Sequence, residues 1–288
     1  LPGPGIRRRK LAATLKQLRE QAGKKPADAA EWLSRSQSTI SKIEGGKQAV
    51  DIAQVRSLLQ LYGVESPESD AIVRLASEAS ERGWWAAYSD TVPDWFADYI
   101  ALETDAVQVQ TWDSSLIHGL GQTADVTTAL VASGRQGVTE PLLERTTSLR
   151  QARQSRLTGD NPVELHMILG EGAVRQVIGG PDVWRGQLSH LLDMSDMDNV
   201  TIQVLPFSAG AHPGLVSPFT LLRFGEDYRD MDAAYTEVDR GCLWMERPAD
   251  LEHYAWVFGE LSGNEDRKGH ALDEAGTRDL LSSLMRHL

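Results

Sequence analysis

Glycine stops at Gly23, Gly45-Gly46 and Gly63 cut residues 1–80 into short segments, and a chain cut this way can build only helices of a few turns. Leu11, Leu15, Leu18 and Ala22 fall at helical spacing before the first stop. Pro26 suits the first turn of a second helix whose buried face is Ala29, Ala30 and Leu33. Ser36 is a good cap for a third helix over 37–44. Asp51 with Gln54 reads as a capping box opening a fourth, with Ile52, Val55, Leu58, Leu59 and Tyr62 as its stripe. Ser66-Pro67-Glu68 starts a fifth, carrying Ile72, Leu75, Ala76 and Ala79. Residues 1–80 are therefore expected to form an all-α domain of about five helices. Ahead of it, residues 1–6 are Pro/Gly-rich and expected to be loose, and Arg7-Arg8-Arg9-Lys10 forms a basic arm. Leu1 is not expected to be the translational start.

Charge divides the chain at about the same place. The net charge of −12 argues, taken whole, against a nucleic-acid binder. Residues 1–62, however, carry 12 Lys+Arg against 5 Asp+Glu, and the remainder 17 against 36. A basic head on an acidic body is the asymmetry expected when one domain meets phosphates and the other must avoid them.

Within the head, residues 30–47 resemble the helix-turn-helix of the Cro and phage-repressor class, the XRE family. Ala30 is the small residue inside the second helix. Ser36-Gln37-Ser38-Thr39-Ile40-Ser41 matches the recognition helix, and Glu44, Gly46 and Lys47 match its exit. Ile40 and Ile43, three apart, face inward and turn Gln37, Ser38, Ser41 and Lys42 toward base edges of a major groove. Lys24, Lys25, Arg35, Thr39 and Lys47 stand at helix ends, where phosphate contacts are usual. Two positions depart from the class: Ser34 replaces the turn glycine and must take a left-handed backbone, and Arg35 replaces an apolar residue.

Trp84, Trp85, Tyr88, Trp95, Phe96 and Tyr99 crowd the stretch 81–103, read as an aromatic-rich connector. From 104 to 288 the texture is α+β with a mixed sheet. Strands are expected near 107–112, 163–169, 200–205, 219–224, 233–238 and 242–246. Helices are expected near 124–133, 140–157, 171–178 and 182–194. Two more end the chain, with stripes Leu251, Tyr254, Phe258, Leu261 and Leu280, Leu281, Leu284, on either side of a polar stretch over 262–270.

This second part resembles the C-terminal domain of actinobacterial WhiJ-type, antitoxin-like transcriptional regulators. The matching residues include Tyr99 with Leu102-Glu103, Gly119-Leu120 with Gln122-Thr123, and Arg153-Gln154 with Leu157. Glu171, Gln187-Leu188, Val204-Leu205-Pro206 with His212, and Tyr235 with Glu237 follow in order. The group usually shows Pro-Gly-Leu-Leu-Gln-Thr where this chain has His118-Gly119-Leu120-Gly121-Gln122-Thr123. The resemblance implies control by a small protein partner or another signal rather than catalysis. Gln122, Thr123, Arg153, Glu171, His212 and Glu237 are the candidates for such a site, although polar residues in apolar segments are usually hydrogen-bonded structural groups.

Enzyme readings fail at the sequence. Gly170-Glu171-Gly172 lacks the third glycine of a dinucleotide loop, with Arg175 in its place. No Walker sequence or Gly-x-Ser-x-Gly elbow is present. Asp193, Asp196 and Asp198 with Asn199 lack the glycine and distal Glu of a calcium loop, and the seven His show no metal-ligand spacing. Cys242, the single cysteine, falls in an expected strand as an inert buried thiol. No cofactor or metal is expected.

Together these readings describe a cytoplasmic, non-enzymatic, homodimeric regulator, nucleoid-associated when bound, repressor-like, on a pseudo-palindromic operator in double-stranded DNA. No membrane association is expected. Its acidic domain would answer a small protein partner or a small-molecule effector. The competing readings are a head used as a protein-interaction module, or an enzyme with a small-molecule site in the C-terminal domain.

Overall fold

The computed structural model describes residues 4–81, 83–134, 137–264 and 267–288. The chain divides into two compact units, Leu1–Ala87 and Tyr88–Leu288. The division falls inside the aromatic stretch 81–103: Trp84–Tyr88 is a short 3-10 turn, and Trp95 to Glu103 lie on a helix of the second unit.

Among the described residues the first unit holds five helices: α1 (Pro4–Gln21), α2 (Pro26–Trp32), α3 (Gln37–Glu44), α4 (Ile52–Tyr62) and α5 (Glu68–Ala79). Local chemistry sets their ends. Ser36 Oγ accepts from Thr39 N at 3.1 Å to start α3, and Asp51 Oδ1 accepts from Gln54 N at 2.8 Å to start α4. Gly63 ends α4 in the left-handed conformation, φ 72°. Leu11, Leu15, Leu18, Ile40, Ile43, Val55, Leu58, Leu59 and Ile72 meet in one core.

One expectation is overturned here. Arg7–Lys10 is no loose arm but lies within α1, which begins at Pro4, while residues 1–3 fall outside the described residues. Ile6 is buried, and Arg7, also buried, reaches Glu78 at 3.3 Å and Glu81 at 4.0 Å on the α5 side. An apolar anchor and two carboxylates, one at the end of α5 and one just past it, extend α1 by a turn that its own sequence does not announce.

The second unit is an α+β domain built on a mixed sheet. Its elements run α6 (Asp94–Asp105), β1 (Gln108–Asp113), α7 (Ala124–Gly134), α8 (Glu140–Gln154), β2 (Glu164–Gly170), α9 (Glu171–Arg175), α10 (Pro181–Met194) and β3 (Val200–Leu205). They continue β4 (Phe219–Arg223), β5 (Ala233–Val238), β6 (Gly241–Met245), α11 (Pro248–Ser262) and α12 (Glu274–Arg286). Among the described residues six strands join in the order β3-β2-β1-β4-β5-β6. The pairs β1–β2 and β2–β3 are parallel, each joined by helices, and the others are antiparallel. The helical crossovers cover the parallel strands, so Met167, Ile168 and Leu169 are all buried in a run rather than alternating.

Register places Trp112 between Ile168 and Phe219, in a core completed by Leu205, Leu221, Val257, Phe258 and Leu261. Of the α11 stripe, Phe258 and Leu261 are buried and Leu251 and Tyr254 pack at the margin. Backbone groups of β3 are also met from the C-terminal end of the chain. Leu272 N donates to Val204 O at 2.8 Å, and Val204 N donates to Thr277 Oγ1 at 3.0 Å. An edge strand is thereby covered. Part of the polar stretch 262–270 lies outside the described residues.

Candidate nucleic-acid interface

The turn between α2 and α3 is tight. Leu33, Ser34 and Arg35 donate their amides back to Ala29, Glu31 and Ala30 carbonyls at 3.1, 3.0 and 2.8 Å. Closing this turn puts Ser34 at φ 52°, the single non-glycine residue with positive φ among the described residues. The strain costs roughly 1 kcal/mol. Arg35 is exposed immediately before the Ser36 cap.

From that start α3 exposes one face. Ile40 and Ile43 are only 1 % and 2 % exposed, while Gln37, Ser38, Ser41 and Lys42 are all exposed. Lys25 and Lys47 are exposed and Lys24 is half-buried. Thr39 differs in detail: it is half-buried and its hydroxyl lies 3.0 Å from Ser36 Oγ, inside the cap.

A clamp that the sequence reading did not find holds this helix. Arg19 donates from Nε to Glu44 Oε1 at 2.7 Å and from Nη2 to Glu44 Oε2 at 2.9 Å. Its Nη1 donates to the Lys24 carbonyl at 2.8 Å. One guanidinium therefore joins the end of α1, the approach to α2 and the end of α3, with the pair only 7 % and 8 % exposed. The available signal was Arg19 following Leu18 on the apolar side of α1, with Glu44 already part of the helix-turn-helix pattern. Tyr62 packs nearby, its hydroxyl pushed up to about 12 by burial and by the Glu44 charge.

In the second unit three of the six candidate residues come together. Arg153 donates from Nε and Nη2 to the two Glu103 oxygens, both at 2.7 Å, and its guanidinium lies 5.3 Å and 5.6 Å from the Phe96 and Tyr99 rings. Gln122 donates to Ile117 O at 2.6 Å and accepts from Arg150 Nη1 at 2.5 Å. Thr123 N donates to Gln187 Oε1 at 2.8 Å, and Gln187 Nε2 donates to Gly121 O at 2.7 Å. The loop carrying residues 118–123 is thus packed into the domain, with Leu120, Gly121 and Gln122 buried.

Glu171 and His212 stand apart from that network. Glu171 accepts from Arg175 Nε at 2.6 Å and from Phe207 N at 2.7 Å. His212 presents its ring edge-on to Trp112, with centroids 5.4 Å apart. Glu237, at the exposed end of β5, instead faces the network: burial pushes its carboxyl up, against the Arg150 and Arg153 charges that act on it. Cys242, expected to be buried, is half-buried on β6. At Gly170 two backbone segments pack closely, since a Cβ there would lie 2.8 Å from Ser114 Cα. Asp193 to Asn199 form the turn from α10 to β3, where Asp196 pairs with Arg278 at 2.8 Å. Among the described residues no three His, Cys, Asp or Glu are grouped to hold a metal ion.

His118 completes the buried network and sets its response to acid. Its Nε2 and the Tyr99 hydroxyl are 2.8 Å apart, Tyr99 donates to Glu103 Oε2 at 2.9 Å, and His118 Nδ1 accepts from Leu120 N at 3.4 Å. These contacts assign the neutral ring with its proton on Nε2. Burial is the main force holding its pKa down from 6.5 to about 4. The unfolded chain therefore takes up a proton at a pH where the folded one does not. Stability is expected to fall as pH drops from 6.5 toward 4, by about 3 kcal/mol at the low end. Urea unfolding of the wild type and His118→Gln across this range checks it. A parallel pH dependence in the two proteins would reject His118 as the source.

The close turn, the capped helix and its exposed polar face define a helix-turn-helix protein, here joined to a separate α+β domain. In agreement, a family described as a helix-turn-helix domain matches residues 10–72, and DNA-binding regulation is what such a domain suggests. A second family, described as a domain of unknown function (DUF5753), matches residues 96–283, well over half of the chain, and the protein belongs to that family. No curated protein and no solved structure matches it. No described helix is long and apolar enough to cross a membrane.

Proposed function

We propose that this protein is a sequence-specific, repressor-like transcription regulator of the XRE type. It acts as a cytoplasmic homodimer on a pseudo-palindromic operator, nucleoid-associated when bound. The observation that carries the reading is the face of α3, on which Gln37, Ser38, Ser41 and Lys42 are exposed while Ile40 and Ile43 hold the helix to the core. Gln37 suits adenine N6/N7, and Lys42 suits guanine O6/N7. Lys24, Lys25, Arg35 and Lys47 surround the helix as phosphate contacts, and Thr39 adds its cap-bound hydroxyl.

The second domain acts by binding rather than by catalysis, as in the WhiJ-type, antitoxin-like regulators of actinobacteria. Two substitutions in its 118–123 loop relative to that group have a packing account. His118, in place of Pro, bonds Tyr99, and Gly121, in place of Leu, sits where a Cβ would be 2.8 Å from Met167 Cε. The internal bonding of Gln122, Thr123 and Arg153 favours a small protein docking on the surface over a small molecule lodged in this loop.

Chromatin immunoprecipitation supplies the operator, and binding assays on it test the roles. Gln37→Ala is expected to cost roughly 1–3 kcal/mol and to relax preference at one base pair. Lys47→Ala should weaken all sequences alike and reduce the salt slope by about one. If both variants lose affinity equally on every sequence, the register of α3 is wrong. No DNA enrichment of well-expressed protein would favour a head used for protein contacts.

A further inference from the structure

The most exposed large apolar side chains of the second unit are Val216, Phe207 and Leu215, at 92 %, 68 % and 67 %. All three lie in the segment between β3 and β4, where the parallel strands end. Leu116 and Val177, both exposed, follow β1 and β2 at the same end of the sheet. The neighbouring loops touch: a Cβ on Gly172 would lie 3.9 Å from the Phe207 ring and 3.1 Å from Ser114 O.

This segment is anchored while its apolar side chains face outward. Phe207 N is held by Glu171, and the Gly214 carbonyl accepts from Trp112 Nε1 at 2.8 Å. A Cβ on Gly214 would collide with Trp112 at 2.8 Å and Leu261 at 2.9 Å, so the backbone there is pressed onto the core. A fixed loop that holds apolar groups in water is preorganised for an interface, because little ordering remains to be done on docking.

Charge selects the occupant. Residues 199–222 contain no Asp, Glu, Lys or Arg, within a part of the chain where acidic residues outnumber basic ones about two to one. A basic partner would be recognised by acidic groups, and this loop offers none. Two acidic bodies repel least where they meet through an uncharged segment, the neighbouring Glu171 being neutralised by Arg175, and a two-fold contact sets each patch against itself. We propose that this end of the sheet, centred on Phe207, Leu215 and Val216, is the surface through which a second copy of the chain docks.

The inference rests on the homodimer reading above and names its surface. Sedimentation velocity on the full chain, alone and with operator DNA, tests it with Phe207→Asp, Val216→Asp and, as a control elsewhere, Trp256→Asp on α11. The wild type and Trp256→Asp are expected to be dimers. Each patch variant should weaken self-association on the order of a thousandfold, because a hot-spot loss of roughly thirtyfold counts twice across the axis. Circular dichroism of the folded chain should be unchanged, since both side chains are exposed in the single chain, and melting should fall only by the lost self-association. Patch variants as dimeric as the wild type would overturn this surface and leave the homodimer reading standing. Equal dissociation by Trp256→Asp would overturn it as non-specific. A wild type that stays monomeric on and off DNA would sink both, and loss of a different protein partner in the patch variants would assign the face to that partner.

Discussion

Arg153→Met is expected to remove roughly 3–5 kcal/mol from the stability of the second unit, as breaking a buried ion pair does when one charge is left without its partner. Arg153 and Glu103 are only 4 % and 2 % exposed, so water cannot take over the bonds that Met deletes. Burial alone would push the Glu103 carboxyl up. The Arg153 charge and its two hydrogen bonds outweigh that, with help from His118 and Tyr99, and hold Glu103 below the usual carboxylate range. Glu103 is therefore charged at neutral pH, and its stabilising effect is lost only as pH falls through that depressed value. With Arg153 gone the carboxylate either remains charged in an apolar site or takes up a proton. The pair Arg153→Met with Glu103→Leu should recover most of the loss, because no charge is then stranded. Urea unfolding at pH 7, followed by tryptophan fluorescence, measures both. A cost under about 1 kcal/mol for the single variant would show that the pair is hydrated in solution.

Glu44→Ala is expected to cost the helical unit up to about 3–5 kcal/mol, by leaving Arg19 with only the Lys24 carbonyl and the exposed Glu20, 3.4 Å away. The consequence for DNA binding is larger than for any single base contact. Small domains have only about 5–15 kcal/mol of stability to lose, and the clamp positions three segments of the head at once. Operator binding should fall together with the melting temperature of this unit. Gln37→Ala, by contrast, should lower binding and leave melting unchanged, since Gln37 is exposed. Arg19→Lys separates charge from geometry: Lys keeps the attraction but cannot bond both oxygens and the Lys24 carbonyl in one plane, so an intermediate loss is expected. Wild-type melting by Glu44→Ala would remove the clamp from the account of how α3 is held.

The helical unit was legible where the signals are local. A cap needs only a side chain and an amide three residues on, so Ser36 and Asp51 mark the starts of α3 and α4 before any folding is considered. The same local reasoning placed Ser34 in a left-handed turn. It failed at Arg7 and Arg19, two cations whose charge suggested solvent or phosphate, or suggested nothing. Each is paired with a carboxylate far along the chain, and no periodicity connects Arg7 to Glu78 or Arg19 to Glu44. In the second unit the strands and most helices follow from apolar runs and turn residues. The sheet order β3-β2-β1-β4-β5-β6 does not, because strand pairing is chosen among many compatible alternatives by packing.

The candidate residues divide in the same way. The exposed face of α3 is a matter of helical period and could be read from Ile40 and Ile43 alone. The fates of Gln122, Thr123 and Arg153 could not, since Arg153 meets a glutamate fifty positions earlier and Thr123 meets Gln187 across the domain. Nor could the exposure of Phe207, Leu215 and Val216, which composition alone would assign to a core. By itself the sequence determined the helices of the head, their caps, the exposed side of α3 and the mixed α+β class of the body, all consequences of short-range geometry. Only the tertiary structure decided which charges are buried in pairs, which polar residues serve as internal joints and which apolar side chains remain in water. Those outcomes depend on groups brought together from distant parts of the chain, where desolvation makes a missing partner costly.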